Sequence, residues 1–396
     1  MKILQLDIEG FRSLKKVSWK PGDLNVLIGP NGTGKSNLLR FLELMSISAQ
    51  GRLGKYVQSL GGMEPIVWNG EATTISFKFQ ARLQIPDSQE AAITYSVELE
   101  RLGWDSAYRV LREILADYHQ VEIGKKKEPY KLLERNSLSR YILDEKRNTI
   151  DVERSSILQE ETLLSAVSGT FSYNIFVRVF QSVLKSWKIY HDVQVHKDAI
   201  IRRAAVAHSE KWVDADGQNL IQVLHTLYNG SRDFEKDIDA AMRAAFGDDF
   251  DKLVFPPAAD QRIQLRVRWK SLKREQSAAD LSDGTLRFLL LLAILANPEP
   301  SPLIAIDEPE TGLHPSMLPI IAEHAVDAAR RTQVIFTTHS PQFLEAFADT
   351  KPTTTVAKWE NGETILNTIE GDELDYWLKE YSLGALFKSG ELESMG

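Results

Sequence analysis

Between the apolar run Leu24–Ile28 and the helically spaced Leu38, Leu39, Phe41, Leu42 and Met45 stands Gly29-Pro30-Asn31-Gly32-Thr33-Gly34-Lys35-Ser36. No other stretch constrains the fold as much. It satisfies G-x-x-x-x-G-K-[ST] in the strand-to-helix context that this pattern needs. The glycines let backbone N–H groups curl around phosphate oxygens, and the helix continuing through Asn37 turns its positive end toward them. Lys35 is placed for the β- and γ-phosphates of ATP, and Ser36 for Mg²⁺. A glycine-rich turn that merely precedes Lys-Ser is the plain alternative, and the flanking elements argue against it.

A second run, Leu303–Ile306, ends in Asp307 and Glu308, which puts two acids where a buried parallel strand meets the ligand-binding edge of its sheet. Asp307 is then the candidate for the Mg²⁺ hydration shell, and Glu308 for orienting or deprotonating an attacking water. Leu281-Ser282-Asp283-Gly284-Thr285 opens an apolar helix. Ser282, Asp283 and Gly284 read either as a second anion site or simply as a helix N-cap, and the residues alone leave both open. His339 follows the strand-like Val334–Thr338 and is positioned to donate to a γ-phosphate or the water attacking it.

Strands alternate with helices from residue 255 onward, which predicts a parallel sheet covered on both faces. Segments 73–83, 92–101 and 106–115 alternate apolar and polar residues and predict an antiparallel β meander. Turns are expected at Gly10 and at Pro21-Gly22. Helical spacing dominates 155–254. The expected organisation is a first nucleotide-binding part over 1–154, a helical insert over 155–254, and a second nucleotide-binding part with the tail over 255–396. The fold class is α/β, a P-loop NTPase with a mixed sheet.

Composition narrows function by exclusion. There is no cysteine, so thiolate chemistry, zinc–thiolate sites and disulfides are ruled out. A net charge of -8 disfavours coating nucleic acid by bulk charge. Two local basic features remain: Lys125–Lys127, and Arg262, Arg266, Arg268 and Lys270 on one face of an alternating segment. A solvated face explains both, and the second also fits a phosphate backbone. The apolar run Phe288–Ala296 is less than half the about 20 residues of a membrane span. The expectation is a cytoplasmic protein with no membrane partner.

The order of the phosphate loop, LSDGT, IDEPETGLHP and TTHS resembles the phosphate loop, signature, Walker B, D-loop and switch histidine of the ABC ATPases, in their SMC/RecF/OLD-like branch. Asp283 and Thr285 depart from the LSGGQ signature. Gly10-Phe11-Arg12-Ser13 resembles that branch's opening motif, which implies that Arg12 approaches nucleotide. EPETGLHP, THSPQFLEAF and Tyr381-Ser382-Leu383-Gly384 look most like small bacterial AAA family ATPases of anti-phage operons.

The resemblance implies a homodimer or higher even oligomer joined through nucleotide, working with a separately encoded effector. It does not extend to a coiled-coil arm or a nuclease domain. A glutamine that contacts Mg²⁺ in such ATPases has four candidates here, Gln50, Gln58, Gln80 and Gln120. A RecF-like ATPase binding DNA directly is the alternative function, and a transporter ATPase subunit is disfavoured by the altered signature.

Overall fold

Alternation of burial along the strands sorts them into sheets with different surroundings. In the computed structural model, residues 1–84, 91–103, 107–117, 129–153, 157–167, 173–347, 350–369 and 382–391 are described. Gln120, Lys125–Lys127 and Tyr381 lie outside them.

β1 (Lys2–Phe11) and β2 (Leu14–Trp19) form a hairpin whose turn is at Arg12-Ser13, two residues beyond the expected Gly10. β1 also pairs antiparallel with β4 (Thr74–Leu83). From there the chain runs through β5 (Ala91–Arg101), β6 (Tyr108–Asp117), β7 (Tyr130–Arg135), β8 (Arg140–Leu143) and β9 (Thr149–Asp151), giving an eight-stranded antiparallel sheet. The expected meander is therefore the middle of a larger sheet. In β4, Ile75, Phe77, Phe79 and Ala81 are buried while Lys78, Gln80 and Arg82 face out, the period of two that one covered face requires.

The second sheet has the order β10 (Lys188–Tyr190), β17 (Leu303–Asp307), β18 (Gln333–Thr338), β3 (Leu24–Ile28), β19 (Thr353–Glu360) and β20 (Glu363–Thr368). All neighbours are parallel except the final β19–β20 hairpin. Its central strands β3, β17 and β18 are buried on both sides. Leu27, Leu303, Ala305 and Ile335 join the core shared with the antiparallel sheet, α1 (Lys35–Ser48) and α3 (Ile175–Lys185), and α2 (Leu53–Ser59) packs there too. Val26, Ile28, Ile304, Ile306, Val334 and Phe336 join the opposite core with α4 (Leu220–Gly230), α5 (Arg232–Phe246), α6 (Asp283–Leu295), α7 (Leu318–Ala329), α8 (Pro341–Glu345) and α9 (Leu383–Ser389).

The 155–254 stretch supplies α3, α4 and α5, as its helical spacing predicts, but it also supplies β10 to the parallel sheet. It is woven into both cores, and neither 154 nor 254 coincides with a boundary between them. The basic segment is likewise divided. Arg262 lies in β14 (Arg262–Ile263), which pairs with β11 (Ala205–Val206) and β13 (Pro257–Ala258). Arg266 and Arg268 lie in β15 (Arg266–Trp269), between β12 (Phe250–Val254) and β16 (Gln276–Ser277). Gln264-Leu265 breaks the run, so no single strand face carries all four cations. Among the described residues no helix is long and apolar enough to cross a membrane.

Two contacts hold the sheets in register around the phosphate loop. Phe41 of α1 meets Phe11 and Phe77 edge-on at 5.3 and 5.2 Å, each pair adding about 0.5–1.5 kcal/mol beyond burial. Gln333 at the start of β18 is buried, accepts from Ile3 N at 3.0 Å, and donates to Ile3 O at 3.0 Å and Gly22 O at 2.7 Å. It thereby ties β1 to the parallel sheet. Gln333→Ala should lower unfolding stability by about 2–4 kcal/mol, because buried backbone groups lose their partners. Chemical denaturation of the two proteins measures it.

Candidate functional site

The carboxyl ends of β3, β10, β17 and β18 all open on one edge of the parallel sheet, where α/β folds place their ligands. β3 runs into the loop Gly29–Gly34 and α1 begins at Lys35. Gly34 has φ 91°, and a Cβ there would lie 2.0 Å from Thr364 Oγ1 and 2.5 Å from Ser13 Oγ. Only glycine fits. Thr364 Oγ1 donates to Thr33 O at 2.9 Å, and Asn37 Nδ2 donates to Ser13 Oγ at 2.7 Å, so the β1–β2 turn and the β19–β20 hairpin brace the loop from outside. Thr33 Oγ1 donates across it to Pro30 O at 2.9 Å.

Lys35 is 5% exposed, and its ammonium donates to Gly29 O at 2.7 Å and Pro30 O at 3.0 Å. Burial pulls its pKa down, while the charges of Glu308, Asp307 and Glu310 pull it up. Asp307 ends β17 and accepts from Thr337 Oγ1. Burial pushes its carboxyl up, but His191 and the hydroxyls of Thr337 and Ser36 outweigh that and hold it below the usual carboxylate value. A hydroxyl beside an ionised carboxylate is a donor set suited to Mg²⁺, which prefers hard oxygen ligands and keeps several waters. Ser36 and Asp307 fit that ion.

Glu308 follows with φ 46°, a conformation rare for a side chain of this size. Its N–H donates to Thr337 O at 3.0 Å, and its carbonyl accepts from Arg287 Nη2 at 3.1 Å. The turn directs its carboxylate to His339, with Oε1 and Nδ1 2.9 Å apart. Glu310 is half-buried, accepts from Thr338 Oγ1 at 2.5 Å, and has its pKa raised by desolvation. The edge thus brings together the loop, Lys35, Ser36, Asp307, Glu308 and His339.

Of the candidate glutamines among the described residues, Gln80 lies on the outer face of β4, and Gln50 donates to Ser46 Oγ at 3.4 Å. The residue that adjoins Asp307 is His191, immediately after β10. Its Nδ1 stands 3.8 Å from Asp307 Oδ2 and its Nε2 3.4 Å from Glu43 Oε2. These are ion-pair distances, and neither ring nitrogen makes a well-formed hydrogen bond to a described residue. Burial opposes charging the ring, but the two carboxylates prevail and raise its pKa. Arg12, with φ 47°, sits in the turn beside Ser13, where burial, then Arg40, lowers its pKa and Tyr56 and Glu43 oppose them.

Ser282 caps α6: its Oγ accepts from Thr285 N at 3.1 Å. Gly284 lies against the D-loop of the same chain, where a Cβ would be 2.6 Å from Gly312 O. The carboxylate of Asp283 pairs with Arg202. His191, Arg202 and Arg287 escaped the sequence reading because no motif marks them. Around His191 only the pair Ile189-Tyr190 is apolar, too short a run to mark a strand end as Leu303–Ile306 does at Asp307.

Known proteins agree with this architecture. The family described as "AAA domain, putative AbiEii toxin, Type IV TA system" matches residues 24–345. The OLD nuclease of Thermus scotoductus is 23% identical over 352 residues, covering 86% of this chain; the chain spans 59% of that relative's length. Among solved structures, an SMC head bound to the C-winged helix domain of ScpA matches with TM-score 0.56 at 13% identity, covering 95% of this chain and all of that one. An SMC head with an extended coiled coil, bound to the C-terminal domain of ScpA derived from Pyrococcus furiosus, matches with TM-score 0.56 at 12% identity, over 96% and 99%. The fold is that of SMC heads.

His191→Asn should raise the Mg²⁺ concentration for half-maximal ATP turnover by about tenfold or more, as loss of a group orienting a metal ligand does. Nucleotide affinity without Mg²⁺ should be unchanged. A Mg²⁺ titration of turnover, with nucleotide binding in EDTA as the control, measures both.

Proposed function

The chain belongs to the AAA domain family described as putative AbiEii toxin, Type IV TA system, an SMC/OLD-like branch of the ABC ATPases, and we propose that it hydrolyses Mg-ATP between two facing copies. The observation that carries this reading is the meeting of Lys35, Ser36, Asp307, Glu308 and His339 on one sheet edge. Lys35 and the N–H groups of Gly29–Ser36 bind the β- and γ-phosphates. Ser36 and Asp307 hold Mg²⁺, which when bound neutralises charge on the phosphate oxygens. Arg12 approaches the nucleotide from the β1–β2 turn. Glu308 takes the proton of the attacking water, and His339 holds Glu308 in place and donates toward the γ-phosphate.

In this reading Ser282 and Gly284 form the second half of the site on the opposite subunit, while Asp283 between them is held by Arg202 of its own chain, so ATP joins two copies. Supporting it, the hydrogen bonds of Ser282 stay within the start of α6, and none joins Ser282 or Gly284 to residues 29–37 among the described residues. The assembly is a homodimer or higher even oligomer whose change of shape controls a separately encoded effector in a bacterial anti-phage system. The SMC heads of the same fold, seen bound to ScpA domains, support a protein partner. Direct DNA binding loses its main sequence support: Arg266 donates to Gln264 Oε1 at 2.8 Å, and Arg268 pairs with Glu275 at 2.6 Å.

Glu308→Gln should bind ATP but turn it over about 10² more slowly or worse, because the amide cannot accept the proton. Light scattering should then find an ATP-dependent dimer that outlasts the wild-type one. A Glu308→Gln protein that hydrolyses ATP at the wild-type rate removes Glu308 from this role.

A further inference from the structure

The start of α6 carries an acid where an approaching phosphate would meet it. Asp283 is the first residue of the helix and its side chain is 63% exposed. A carboxylate there suits the helix dipole, but it repels a triphosphate brought to the same helix end, and more strongly once a facing subunit excludes water.

The structure sets one cation against it. Arg202, at the end of the turn Ile200–Arg202, has a side chain only 6% exposed, and its Nη2 pairs with Asp283 Oδ1. Nη1 donates to Leu281 O at 2.6 Å and lies 3.2 Å from Ala278 O. Nε and Nη2 donate to Val195 O at 3.0 and 2.9 Å. One guanidinium therefore clamps 278–283 to the segment running from His191 to Arg203. That segment starts beside Asp307 and ends on the signature.

We propose that Arg202 is a positioning residue for the second anion site: it neutralises Asp283 and fixes the 278–283 loop so that Ser282 and the α6 N–H groups can receive the γ-phosphate held by a second copy of this chain. This rests on the shared-site reading above. Asp283, in this account, anchors Arg202 and makes no contact with nucleotide. Without Arg202 the carboxylate faces the triphosphate uncompensated, and removing that charge restores what its loss destroyed.

The test is a charge cycle in the Glu308→Gln protein, with light scattering reading the ATP concentration for half-maximal dimerisation. Adding Arg202→Gln should raise that concentration about tenfold or more, and adding Asp283→Asn as well should bring it back to within about threefold of the parent. Monomer binding of a fluorescent ATP analogue should not change, since Lys35 is untouched. If Arg202→Gln fails to fold, as its thermal unfolding would reveal, Arg202→Lys keeps the charge but loses the fork, so it should raise the concentration less than Arg202→Met does, and Asp283→Asn should bring Arg202→Met back toward the parent. A parent that stays monomeric with ATP overturns the dimer reading and this inference together. A dimerising parent whose Arg202→Gln form is unaffected, or is not rescued by Asp283→Asn, overturns this inference alone.

Discussion

A buried ammonium organises this molecule. Taking Lys35 out of water costs several kcal/mol unless anions and dipoles replace its hydration. Here the carbonyls of Gly29 and Pro30 touch it, and the acids at the end of β17 supply opposing charge. That arrangement exists only if β3 and β17 end at the same height, with β18 between them. The parallel registers Phe336↔Val26 and Ile306↔Phe336 set that height, and Gln333 and Asn25 pin the lower ends of the strands. The antiparallel sheet serves the same end from the other side, holding α1 through Phe41.

The catalytic candidate is one of the strained positions in the backbone. Glu308 in a left-handed conformation costs about 1–3 kcal/mol relative to a relaxed residue. Its N–H and C=O are both held, by Thr337 and Arg287, and the turn aims the carboxylate at His339. Because Arg287 lies on α6, the helix that begins with Ser282 also grips the backbone of Glu308. The start of α6 and Glu308, the proposed water-activating acid, are thus parts of one rigid connection within a chain.

How much of this was legible in the sequence varied with the range of the interaction. The phosphate loop, the acids at Asp307 and Glu308, and the histidine at 339 are local signals on strand ends, and the structure brings them to one edge. Alternation exposed β4, β5 and β6. It did not show that β1 and β2 extend the same sheet, since that pairing joins Glu9 to Ser76 across the whole of α1 and α2. β10 is three residues long, too short for periodicity to register, and with it went His191. The basic segment misled because alternation assigns faces only while one strand continues, and the chain changes sheets at Gln264-Leu265. Arg202 is invisible to any local rule: its partners lie at 195–196 and 278–283.

The central claim is that Lys35 of one copy and Ser282 of the other complete a single site. Mixing Ser282→Arg protein with Lys35→Ala protein, each inactive alone, tests it most directly. In a mixed dimer one site keeps both Lys35 and Ser282 and the other has neither. ATP turnover that appears only on mixing, and rises with the concentration of both proteins, is the result this account predicts. Full turnover by Ser282→Arg protein alone, linear in its concentration, would contradict it.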